Sequence, residues 1–171
     1  ITVESLIKGL MINSANDAAI ALAEHNAGST TAFIKKMNNR AEELALSNTH
    51  FSNPTGLDDP GNYSSPFDLA KLGNYIYNNK IIQEAANTAA GETFSADGKT
   101  KHQLETTNQL INNYPGIKGL KTGQTDAAGL CLIAIAENEG KNEIVSVVLN
   151  SPDRFKETKI LTDWVFRSFK W

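Results

Sequence analysis

The sequence predicts an α+β fold built as one domain. Three observations carry that prediction. Apolar residues recur at helical spacing through most of residues 1–90, period-two apolar runs and an Asp-Gly turn signal occupy much of 91–151, and helical spacing returns after Pro152. A chain of 171 residues is long enough to bury roughly 70% of its unfolded surface around a single core.

Taken in order, Thr2 is placed to cap a first helix whose face is Val3, Leu6, Ile7, Leu10 and Met11. A second helix begins at Asn16 or Asp17, runs through Ile20, Leu22 and Ala23, and stops at Gly28. Ser29 caps a third, with Phe33, Met37, Ala41 and Leu44 on one stripe. Over residues 47–66 the composition turns to Asn, Pro, Gly, Asp and Ser, which predicts a long ordered loop. Ser65, Pro66 and Asp68 then supply a cap, a first helical residue and a first-turn acid for a helix with Leu69, Leu72 and Ile76 on its apolar face. Ala96-Asp97-Gly98-Lys99 predicts a hairpin between strands at 93–95 and 101–104. Residues 117–122 read as a strand. Residues 130–136 and 144–149 read as two apolar strands around the polar turn 137–142. Phe155, Ile160, Leu161, Trp164, Val165 and Phe169 space out a closing helix. The domain thus divides into a mainly helical lobe over 1–90 and strands with a closing helix over 91–171.

Bulk chemistry excludes several partners. Sixteen Lys and Arg against nineteen Asp and Glu give a net charge of −3, and the basic residues are scattered, so neither nucleic acid nor anionic lipid is an expected partner. No run reaches the ~18 apolar residues of a membrane span, and neither a signal peptide nor an anchor helix is visible. Cys131 is the only cysteine, which excludes an internal disulfide; within the apolar run 130–136 it is expected to pack as a small buried hydrophobe. His25, His50 and His102 stand apart, without metal-ligand spacing, so no metal or other cofactor is expected. Asp58 and Asp59 lie in the loop and are read as turn-shaping residues.

Two triplets carry chemistry. Lys121-Thr122-Gly123 closes a strand with a positive charge, a hydroxyl able to bind a carboxylate, and a residue with no side chain to obstruct an extended peptide. Ser14-Ala15-Asn16 precedes the second helix, where Ser14 can shuttle a proton and Asn16 can orient a substrate amide. Either triplet has a simpler reading, a basic strand end beside a glycine turn for the first and a helix cap at Ser14 or Asn16 for the second. Context favours the chemical reading. The segments Ser14-Ala15-Asn16-Asp17-Ala18-Ala19, Thr49-His50-Phe51-Ser52-Asn53-Pro54-Thr55-Gly56-Leu57-Asp58 and Tyr114-Pro115-Gly116-Ile117-Lys118-Gly119-Leu120-Lys121-Thr122-Gly123 resemble, in order and spacing, the low-molecular-mass D-alanyl-D-alanine carboxypeptidases. Residues 65–72, Thr107-Asn108-Gln109-Leu110 and Ala128-Gly129-Leu130-Cys131-Leu132 look like the same family.

The resemblance implies a β-lactamase/transpeptidase-like fold that removes terminal D-alanine from peptidoglycan stem peptides through an acyl-serine, and that β-lactams trap in the full-length protein. It implies an extracytoplasmic location. Carried across, Ser14 and Asn16 form the second motif, with Lys121 as the third motif's catalytic lysine. Thr122, Gly123, the backbone N–H of Gln124, and Arg154 bind substrate. Many relatives have His or Tyr where Gln124 stands, and Arg154 reads equally well as a surface arginine early in a helix. The nucleophile of a Ser-x-x-Lys motif should lie several dozen residues before Ser14. The sequence is therefore expected to be an N-terminally truncated form lacking the first strands and the nucleophile helix, and inactive alone. Ser5-Leu6-Ile7-Lys8 fits the expression, but nine positions along a continuous helix would put Ser5 ~13 Å from Ser14, beyond proton-transfer reach. A non-catalytic module that binds peptidoglycan peptides, or a fragment assembling with a separate N-terminal piece, is the alternative.

Overall fold

A computed structural model describes residues 1–171. Local signals place most of the elements. The Thr2 hydroxyl accepts the Ser5 N–H at the start of α1 (Val3–Asn13), Ser29 accepts from Ala32 at α3 (Thr30–Glu43), and Ser65 accepts from Asp68 at α4 (Pro66–Tyr77). Between α1 and α3, α2 (Asn16–Ala27) ends where Gly28 turns left-handed at φ 78°. A short helix, α5 (Lys80–Ala86), follows α4 and is capped by the Asn79 side chain, which accepts the Ile81 and Ile82 N–H groups. Nothing in the apolar spacing announced it.

The predicted hairpin forms as β1 (Ala90–Phe94) and β2 (Lys101–Glu105), with Phe94 opposite Lys101 across the Asp97-Gly98 turn. The main sheet is antiparallel, in the order β3 (Ile117–Thr125), β4 (Gly129–Glu137), β5 (Glu143–Ser151). α6 (Arg154–Ser168) follows, its first turn capped by Asp153 accepting the Lys156 N–H. Both β3 and β5 pair on one side only, so the sheet has two open edges.

Because side chains alternate along a strand, the continuous apolar run of β4 serves two faces. Ile133 and Ile135 face one side with Leu120 and Val145, covered by Met11, Ile76 and Ile82 from α1, α4 and α5. Leu132, Ala134 and Ala136 face the other with Ile117 and Val148, covered by Leu110, Ile111, and Phe155 and Phe166 of α6. α4 lies close on its side at Gly73, where an added Cβ would come within 3.0 Å of the Ile133 methyl and 3.4 Å of a Val145 methyl. Both hydrophobic clusters are built on the sheet, and a smaller buried set, Ala18, Ala19, Ala23 and Ala41, lies on α2 and α3. Leu6, Ile7, Leu10 and Met11 of α1 stay half-exposed.

The closing helix departs from its apolar spacing. Thr158 and Thr162 are its buried residues, whereas Ile160 and Trp164 are more than half exposed. α6 rests on β4 and β5 with these threonines buried and Phe155 and Phe166 turned inward, while Ile160 and Trp164 face outward, where Trp164 meets Phe169 edge-on at 5.7 Å.

A buried carboxylate ties the start of the loop between α3 and α4 back to α4. Asp68, 1% exposed, accepts the Asn48 N–H at 2.7 Å and the Thr49 hydroxyl at 2.8 Å. A bridge between His50 and Tyr63 closes the loop on itself.

Candidate active site

α1 ends at Ser14, which adopts the left-handed conformation (φ 56°, ψ 39°) that glycine occupies most readily. That turn aims its hydroxyl at β3. Lys121 Nζ donates to Ser14 Oγ at 2.8 Å and to the Thr122 carbonyl at 2.7 Å. The two triplets, 107 positions apart in sequence, therefore meet in one hydrogen bond. Neither Ser14 nor Asn16 caps α2. Its N-cap is Ala15, with no side-chain bond, and the Asp17 carboxylate accepts the Ala18 N–H instead. The capping reading fails because the Ser14 side chain is committed to Lys121. Asn16, the first residue of α2, is exposed beside it.

Burial, with a smaller contribution from repulsion by the Arg154 guanidinium, pushes the Lys121 ammonium down to about 8. Arg154 opens α6, where Asp153 fixes the helix start. Its Nη1 donates to the Gly123 carbonyl at 2.7 Å, and its guanidinium lies 4.9 Å over the Phe155 ring. Burial also holds the Arg154 pKa below its ordinary value.

Thr122 is buried, and its hydroxyl meets only that of Thr107, at 2.5 Å. Gly123 is exposed opposite Cys131, and an added Cβ would make an ordinary 3.6 Å contact with Cys131 Cβ. The interior of the fold therefore places no demand for glycine there. Gln124 is exposed on the unpaired edge of β3. A lysine that exchanges its proton near neutral pH, a serine hydroxyl against it, and an open strand edge flanked by a guanidinium can together hold an extended peptide acid and move a proton beside it.

The profile of the S11 peptidases, described as D-alanyl-D-alanine carboxypeptidase, matches residues 1–153. The chain belongs to this family. It is 37% identical to the D-alanyl-D-alanine carboxypeptidase DacF of Bacillus subtilis (strain 168), over 99% of this chain and 44% of that protein. It is likewise 37% identical to DacC of Escherichia coli (strain K12), over 99% of this chain and 42% of that protein. Among solved structures, the Streptomyces K15 DD-transpeptidase superposes with a TM-score of 0.90 at 33% identity, covering 98% of this chain and 68% of that one. Its S96A mutant gives a TM-score of 0.91 at 31% identity, covering 98% and 69%. The chain spans less than half the length of these curated relatives.

Ser5 and Lys8 do not meet: Ser5 Oγ accepts from the Thr2 hydroxyl at 3.0 Å, and Lys8 pairs with Glu4 at 2.7 Å. Cys131 is half-buried rather than buried, and its thiol donates to the Ala128 carbonyl at 3.4 Å. Asp58 does more than shape its turn. Its carboxylate accepts the Ala127 N–H at 3.2 Å, pinning the 47–65 loop to the β3–β4 turn just beyond Lys121-Thr122-Gly123. Sequence spacing held no signal for that contact.

Proposed function

We propose that these residues form the substrate-holding and proton-handling part of a serine D-Ala-D-Ala carboxypeptidase site, acting on peptidoglycan stem peptides outside the cytoplasm. The observation that carries the reading is the Lys121–Ser14 hydrogen bond. In this reading the stem peptide lies antiparallel to the open edge of β3, with its terminal carboxylate held by the Thr122 hydroxyl and the positive charge of Arg154. Gly123 leaves room for the peptide backbone, and the Asn16 amide orients it. As a serine nucleophile forms its ester with the penultimate D-alanine, the peptide C–N bond breaks. Ser14 Oγ gives its proton to the departing amine and recovers one from Lys121, which is recharged by the proton that the attacking serine hydroxyl gives up; a pKa of about 8 suits that exchange. The Gln124 N–H supplies one donor to the oxyanion. β-Lactams are expected to occupy the same cradle.

The reading assigns no nucleophile to residues 1–171, since Ser5 and Lys8 are engaged elsewhere. A fluorescent penicillin is therefore expected to leave the 171-residue chain unlabelled, as read by intact mass. Mixing the chain with the Ser-x-x-Lys-bearing segment of a family member should restore release of D-alanine from an acyl-D-Ala-D-Ala peptide. Binding without turnover in that mixture would favour a non-catalytic peptide-binding module. Labelling of Ser5 would overturn the assignment.

A further inference from the structure

We infer that Thr107 is a positioning residue that turns the Thr122 hydroxyl into a carboxylate donor, an inference that rests on the proposed function. The Thr122 hydroxyl carries one hydrogen, and its only partner in the chain is the Thr107 hydroxyl, 2.5 Å away. A carboxylate at neutral pH only accepts hydrogen bonds. If Thr122 donated to Thr107, it would have nothing left to offer the substrate. With the bond running the other way, the Thr107 hydrogen rests on Thr122 Oγ1 and the Thr122 hydrogen points free. Chained hydroxyls also polarise one another, which strengthens the terminal donor.

The setting fixes Thr107 for this task. It stands on the segment between β2 and β3, and its backbone N–H donates to the Ile12 carbonyl at 3.2 Å, two residues before Ser14. One residue thereby braces the end of the helix that presents Ser14 and the hydroxyl beside Lys121. Its neighbour Asn108 is buried, with Oδ1 accepting the Leu110 N–H at 3.1 Å, so the segment is anchored on both sides of the pair. Thr107 itself is exposed and belongs to neither hydrophobic cluster. Packing therefore does not account for its hydroxyl.

The test is a titration of the isotope-labelled chain with N-acetyl-D-Ala-D-Ala and with the same dipeptide as its C-terminal carboxamide, read by NMR. The unaltered chain should prefer the acid by about tenfold or more, the size expected for a hydrogen bond to a charged group. Thr107→Val, which keeps shape but removes the hydroxyl, should cut that preference several-fold, because the Thr122 hydroxyl loses the bond that aims and polarises it while the share owed to the Arg154 charge stays; Thr107→Ser should keep all of it. Equal weakening of acid and amide in Thr107→Val would mark a merely structural role and overturn the inference. So would an unchanged preference. Failure of the unaltered chain to prefer the acid would instead overturn the proposed function, and the inference with it.

Discussion

Replacing Lys121 by Met should slow D-alanine release by the chain mixed with its Ser-x-x-Lys segment by roughly 100-fold or more, because Ser14 loses its proton source, while making the fold more stable at neutral pH. The two effects have one cause. Burial holds the folded-state pKa of Lys121 at about 8, below its ordinary 10.5, so charging this lysine opposes folding. That cost is fully present below about pH 8 and disappears above about 10.5. The contribution of Lys121 therefore makes stability rise with pH between those limits. Its ceiling is about 3 kcal/mol, and exposing the Ser14 hydroxyl and Thr122 carbonyl as unpaired groups offsets part of the gain. Urea unfolding of both proteins at pH 7 and pH 9.5 isolates the effect, because other titrating groups cancel in the difference. A Lys121→Met protein less stable than the parent at pH 7, or a difference independent of pH, would contradict the origin assigned to the shift.

Asp68→Ala should destabilise the protein by about 2–4 kcal/mol, since removing a buried acceptor leaves its donors stranded. The stranded groups are the Asn48 N–H and the Thr49 hydroxyl, and the latter also contacts Ser64 Oγ at 2.8 Å. Asp68→Asn, which keeps one acceptor oxygen, should lose less. The damage should concentrate in the 47–65 loop, so hydrogen exchange at Asn48 and Tyr63 should accelerate before that of β4. Uniform exchange across the chain, or a loss below about 0.5 kcal/mol, would show that the loop does not depend on this carboxylate.

The parts of the fold legible in the sequence were those decided locally. Thr2, Ser29 and Ser65 cap helices because a hydroxyl needs only an amide two or three residues ahead. Gly28 and the Asp97-Gly98 turn work through their own backbone preferences. α5 escaped notice because seven residues hold too few turns to show a stripe, and only Asn79 marks its start. The orientation of α6 was illegible for a different reason: which side turns inward is set by the sheet it rests on, β4 and β5, and not by its own apolar spacing. At the site, the identities of Ser14 and Lys121 came through as motifs, yet the local reading of Ser14 as a cap for α2 failed because Lys121 commands its side chain. The Thr107–Thr122 and Asp58–Ala127 contacts join segments with no shared periodicity, so no pattern could reveal them.

Position 14 consequently sits under two opposed selections. Its backbone geometry favours glycine, since a side chain held left-handed is disfavoured by roughly 1 kcal/mol. A population of variants sorted for folding alone would drift there toward glycine or asparagine. Sorted for handling peptide acids, it would return to serine, which gives Lys121 an exchangeable hydroxyl without the β-branch that makes threonine costlier in that turn. Divergence between those two outcomes at a single residue would expose the demand that function places on the fold.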